Sequence, residues 1–79
     1  MIAEDKFDCH VKINGKYLRE IIQFADFAFK EHFLHAFLNR PEHKFEVWIT
    51  INADKKEYKK FLATFKQCKI RIFEEKTSL

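Results

Sequence analysis

Residues 7–13 read FDCHVKI, with Phe7, Cys9, Val11 and Ile13 alternating against Asp8, His10 and Lys12. Successive side chains of an extended chain point to opposite faces, so this alternation predicts a strand with one apolar face. Asn14-Gly15 follows, a pair that favours hairpin turns. What comes next has a helical period instead, because Leu18, Ile21, Ile22, Ala25, Phe29, Phe33 and Phe37 recur at steps of three and four. The turn therefore launches a helix, predicted from about Lys16 to Leu38 and roughly 34 Å long at about 1.5 Å per residue. Asn39-Arg40-Pro41 supplies its stop: the residue before a proline avoids the helical region, and Asn accepts a left-handed cap.

Residues 44–51, KFEVWITI, alternate again. Phe45, Val47, Ile49 and Ile51 fall on one face and Lys44, Glu46, Trp48 and Thr50 on the other, which predicts a second strand. Asp54-Lys55-Lys56-Glu57 has the capping-box pattern, and Tyr58, Phe61, Leu62 and Phe65 continue it at i, i+3, i+4 and i+7 as a shorter amphipathic helix. KIRIF, residues 69–73, predicts a third strand with Ile70 and Ile72 opposite Arg71 and Phe73; the charged tail EEKTSL is expected to fray. The order is β-α-β-α-β. All the strands alternate, whereas a sheet covered on both faces gives continuous apolar runs, so the expected fold is an α+β two-layer sandwich: a three-stranded sheet with both helices packed on one face. Strand order stays open, since a right-handed crossover gives parallel neighbours and a long returning helix gives antiparallel ones.

A chain of 79 residues with a single glycine and a single proline leaves room for one domain, expected over 1–79 with frayed ends at about 1–5 and 75–79. A domain this short buries only about 60% of the surface its unfolded chain exposes, so it needs dense packing, a staple or a partner. Ten Phe supply the packing. Cys9 and Cys68 are too few for a secreted disulfide framework and read as buried thiols. The start MIAEDKFD lacks a basic segment followed by an apolar one, and no run approaches the roughly 18 apolar residues of a membrane span. The expected setting is cytoplasmic and reducing, with no membrane partner.

The long helix carries two apolar stripes when its residues are placed about 100° apart. Leu18, Ile22, Ala25, Phe29, Phe33, Ala36 and Phe37 form one, which the sheet can cover. Tyr17, Phe24, Phe27, Leu34 and Leu38 form the other, interrupted by Glu20, Glu31 and His35. Two readings stand open: the second helix and the termini wrap round to bury the second stripe, or the stripe meets another chain, most simply its own copy across a two-fold axis. Phe side chains suit such contacts, because each buries a large area with few rotors to freeze.

Motifs for chemistry are thin. Asp26 lies on the first stripe and is expected at its edge or paired with Lys30; as a catalytic acid it would need a companion that the sequence does not identify. His32 and His35 face alike, and His10 or His43 could approach, but the spacing gives two ligands without a tight Cys/His cluster. Neither cysteine sits in a context that lowers a thiol pKa, and Gly15 stands alone where a phosphate cradle needs several glycines. The expectation is a protein that is not an enzyme, with no catalytic residue, metal, cofactor or small-molecule ligand.

Charge points further. Residues 1–43 hold six Lys/Arg against seven Asp/Glu and residues 44–79 nine against five, a balance of −1 and +4. Lys55, Lys56, Lys59, Lys60 and Lys66 fall on the outward side of the second helix, with Lys69 and Arg71 just beyond. A lysine face is ordinarily a solvated face; a nucleic-acid backbone is the functional alternative, and Lys12, Trp48, Arg71 and Phe73 would add cations and rings on the open sheet face. Glu46 and Asp8 share that face. The reading reached is a small non-enzymatic regulatory or adaptor protein acting by protein–protein contact, with self-association as a homodimer as the simple case and Phe24, Phe27, Leu34, Leu38 and Trp48 at the interface. The alternative is a nucleic-acid-binding module that uses Lys55, Lys56, Lys59, Lys60, Lys66 and Arg71.

Overall fold

A computed structural model of the chain describes residues 5–38 and 45–78. Strands β1 (Phe7–Asn14), β2 (Glu46–Ala53) and β3 (Ile72–Thr77) are joined through helices α1 (Leu18–Phe24), α2 (Phe27–Leu38) and α3 (Lys55–Gln67), with a 3-10 turn at Gly15–Tyr17 ahead of α1. The strands form one antiparallel sheet in the order β2-β1-β3. Helices cover one face of it, giving the α+β two-layer arrangement that the alternation predicts. β1, in the middle, pairs with β2 residue for residue from Phe7 opposite Ala53 to Asn14 opposite Glu46. Its apolar side, Phe7, Cys9, Val11 and Ile13, is buried with Val47, Ile49, Ile51 and Ala53 of β2.

Helices α2 and α3 are joined by phenylalanines. Phe33 of α2 stacks on Phe61 of α3 with ring centroids 5.5 Å apart, and Phe65 meets Phe33 edge-on at 5.6 Å and Phe61 edge-on at 5.0 Å. All three are fully buried. The start of α3 is fixed by the expected capping box: the Glu57 amide donates to Asp54 Oδ1 at 2.8 Å, and the Asp54 amide reaches Glu57 Oε1 at 3.4 Å. Its end is a Schellman cap, in which Ile70 N–H donates to the Phe65 carbonyl and Lys69 N–H to that of Lys66. Lys69 holds the left-handed position with φ 55°. That conformation costs a residue with a Cβ about 1–2 kcal/mol, which the two carbonyls satisfied and the burial of Ile70 offset.

The single long helix is not what forms. It breaks at Ala25, whose backbone is extended (φ −70°, ψ 144°), and α2 starts afresh with the Asp26 carbonyl accepting from Phe29 and Lys30. Asp26 itself is exposed. Asp is a weak residue inside a helix and a strong one just before it, so the break falls where its cost is least. It lets α1 and α2 double back, with the Arg19 guanidinium 5.9 Å above the Phe37 ring. The expected helix stop at Asn39-Arg40-Pro41, and Lys44 of the expected second strand, lie outside the described residues.

Two strand boundaries also differ. Phe45, expected on the buried face, is 68% exposed. It precedes β2 at the end of the sheet, where its carbonyl accepts from Gly15, a neighbour with no side chain to pack against. The third strand begins at Ile72 and runs to Thr77, so residues 74–77 of the tail are strand, while Lys69 and Ile70 belong to the helix cap. A bulge explains why alternation misleads here. Lys12 faces Glu74 and Ile13 faces Ile72, leaving Phe73 as an extra residue that shifts every later side chain to the other face. Beyond the strand, the Ser78 amide donates to the Asp8 carbonyl and the Asp8 amide to Ser78 Oγ.

Because Phe33 touches both Phe61 and Phe65 at full burial, Phe33→Ala is expected to cost about 3–5 kcal/mol. In a domain this small, chemical denaturation should show most or all of the folded population lost, whereas the exposed Phe27→Ala should leave the midpoint nearly unchanged at concentrations low enough for the chain to be monomeric.

Candidate interaction surfaces

The five residues expected at a protein interface do not form one patch. Phe27, Leu34 and Leu38 lie on one line of α2 at i, i+7 and i+11 and are 93%, 43% and 75% exposed. Glu31 sits between them on the same side. Buried Phe29 and Phe33 point the opposite way, toward α3, so this line faces away from the core. α3 does not wrap over it. Phe24 ends α1 and lines a separate open cleft of about 460 Å³ with Glu20, Gln67, Cys68 and Lys69 at the far end of α3. Trp48 stands on the open face of the sheet, behind the helices.

That open face satisfies itself. Asn52 Nδ2 donates to Asp8 Oδ1 at 3.0 Å, and His10 Nδ1 shares a 3.0 Å hydrogen bond with Thr50 Oγ1, each across the β1–β2 ladder. The ammonium groups of Lys12 and Lys76 both lie 5.2 Å from the Trp48 ring centroid. Two cations on one ring would repel each other, but Glu74 bridges them at 3.4 Å each and Glu46 holds Lys12 at 3.5 Å. The hydrogen bond from Lys76, followed by Lys12, keeps the Glu74 carboxyl below its ordinary pKa. Asp8, Glu46 and Glu74 outnumber Lys12 and Lys76 here, and the indole is already occupied. The face is therefore a poor stacking platform for a polyanion. Arg71 rests 5.4 Å above Phe73, away from the Trp48 cluster. Sequence alone does not show the cluster, because the charges of EEK read as a fraying tail until pairing with β1 sets Glu74 opposite Lys12.

The basic side of α3 is different. Lys55, Lys56, Lys59, Lys60 and Lys66 are all exposed. With Ala63 and Gln67 they span an arc of about 140° at about 100° per residue, and no acidic residue falls within it. Glu57 lies outside the arc and pairs with Lys6 at 3.8 Å. Among the described residues none of the five lysines is in an ion pair. Arg71 lies past the helix cap and is not part of the arc.

The groups considered for chemistry are scattered. Cys9 is buried on the inner face of β1 while His10 points to the outer one, so the two cannot share a ligand. Burial first, with Asp8 adding to it, pushes the Cys9 thiol up; burial and then Glu20 do the same to Cys68. Both thiols are free, and neither is poised as a thiolate. His32 and His35 are exposed on α2, and His43 lies outside the described residues. No three His, Cys, Asp or Glu among the described residues gather as a metal-sized donor set. No described helix is long and apolar enough to cross a membrane.

Trp48 is 37% exposed, and the ammonium groups of Lys12 and Lys76 lie over its ring. Its fluorescence should therefore be quenched by acrylamide to an intermediate degree, and Lys12→Ala with Lys76→Ala should raise the quenching constant and shift the emission to the red. Unchanged quenching in the double variant would show that the lysines do not cover the ring.

Compared with known proteins, the chain matches no family model, no curated protein and no solved structure.

Proposed function

We propose that this protein is a small non-enzymatic regulatory or adaptor module that works by protein–protein contact through the outer face of α2, with a second copy of itself as the simplest partner. The observation that carries this reading is the bare line of Phe27, Leu34 and Leu38, in a helix whose opposite side is fully packed. Large apolar side chains exposed in register on one helix are the usual mark of a surface awaiting a partner. An isologous contact needs only one such surface, used twice. Two unpaired thiols fit the reducing cytoplasm as the place where this happens.

Sedimentation tests it. Wild type should associate, and Phe27→Ser with Leu34→Ser should shift it to monomer by removing burial of roughly 1.5–3 kcal/mol per side chain. The double variant should keep its folded far-UV spectrum, because neither residue belongs to the core. A wild type that stays monomeric at high concentration overturns self-association.

A second reading has its own observation, the unpaired lysine arc of α3, which suits the phosphate backbone of a nucleic acid. Binding would weaken with salt, each phosphate contact adding about 0.7–0.9 to the steepness of log K against log salt. Lys55→Gln, Lys56→Gln, Lys59→Gln and Lys60→Gln together should flatten that slope. Absence of binding to single and double strands at low salt ends this reading.

A further inference from the structure

We infer that the outer edge of β2 is a strand-pairing site for a second copy of this chain, joining two three-stranded sheets into one continuous antiparallel sheet across a two-fold axis. This deepens the self-association reading and takes from it only the identity of the partner.

The two edges of the sheet are built differently. β3 carries a bulge at Phe73 and the charged run Glu74, Glu75 and Lys76, devices that discourage the addition of another strand. β2 has none of them. It pairs with β1 over all eight residues without irregularity, and from Val47 to Ala53 it contains neither a charge nor a proline. The ladder shows which of its backbone groups are free. Gly15 N–H donates to the Phe45 carbonyl at 2.8 Å, so this pair is hydrogen-bonded; the alternation of an antiparallel ladder then turns the N–H and C=O of Val47, Ile49 and Ile51 toward β1 and those of Trp48, Thr50 and Asn52 outward. Among the described residues no strand lies beside them.

A second copy fits this edge in charge and in position. A two-fold axis normal to the sheet at Ile49 or Thr50 keeps each face on its own side, so apolar residues meet apolar ones on the helix side and neutral residues meet on the other. With the axis at Ile49, Glu46 meets the neutral Asn52 of the copy, and no like charges are opposed. α2 makes the more extensive helix contact with β2, and α3 carries the chain from β2 to β3, the opposite edge strand. Phe29 and Phe33 turn toward α3, so the bare line of α2 lies on the side away from α3. A copy paired along this edge would bring α2 beside its own mate on the helix side of the joined sheet.

Thr50 is the position to test, being exposed beside the axis. With the axis at Ile49 the two copies of Thr50 are diagonal neighbours across it, so Thr50→Lys and Thr50→Glu each bring like charges within reach of one another. Each alone should sediment as monomer where wild type and the neutral Thr50→Gln are dimers, and mixing the two should restore a dimer at least about tenfold tighter than either alone. In wild type, amide hydrogen exchange at Trp48, Thr50 and Asn52 should slow with rising protein concentration. If a charged variant unfolds, that exchange result decides by itself. If Phe27→Ser with Leu34→Ser dissociates the dimer while both charged variants stay dimeric and the three amides exchange fast, the edge inference is overturned and the α2 reading stands. A monomeric wild type overturns both.

Discussion

The stack of Phe33 on Phe61, closed edge-on by Phe65, is the contact on which the rest of the molecule depends. A three-stranded sheet with an open outer face has only one apolar side to bury, and a chain of this length cannot add a second core. The helical layer must therefore be dense. Three rings in mutual contact at full burial achieve this with few rotors to freeze, and they tie α2, which precedes β2, to α3, which follows it. The break at Ala25 serves the same end. A straight helix would lay one line of residues along the sheet; the doubled-back pair buries Leu18 and Ile21 from α1 together with Phe29 and Phe33 from α2.

Electrostatics divides the remaining surface into regions of different character. On the open sheet face, carboxylates and cations are matched across strands, and Trp48 lies under two of the lysines. Exposed pairs of this kind contribute little stability, and the register is specified by the buried face, because a one-residue slip would turn its apolar residues outward. Among the described residues the lysines of α3 have no such matches, and the outer line of α2 has Glu31 as its polar neighbour. A surface that satisfies itself has little to gain from a partner; one that does not has more. The proposed contacts accordingly fall on the helical layer and on the β2 edge, and leave the sheet face aside.

Local sequence determined much of this protein. Alternation in FDCHVKI and EVWITI, the capping box at Asp54–Glu57 and the Tyr58, Phe61, Leu62 and Phe65 stripe fixed two strands, one helix and the inward residues of each, because these signals act within a few residues of one another. The two stripes of the 16–38 segment were legible too, and so was the lysine side of α3. Tertiary structure decided the rest. The break at Ala25 is an outcome of packing, since an apolar period of three and four continues straight through it and α1 folds back against α2, with Asp26 setting where the break costs least. β3 and its bulge depend on pairing with β1, a partner some sixty residues away in sequence, which turned a charged tail into strand and set Glu74 between Lys12 and Lys76. For the same reason the candidate surface was only partly readable: helical spacing put Phe24 beside Phe27, but the reversal of the chain between them sent Phe24 to the cleft at the end of α3 and left Phe27, Leu34 and Leu38 in line on the outer side of α2.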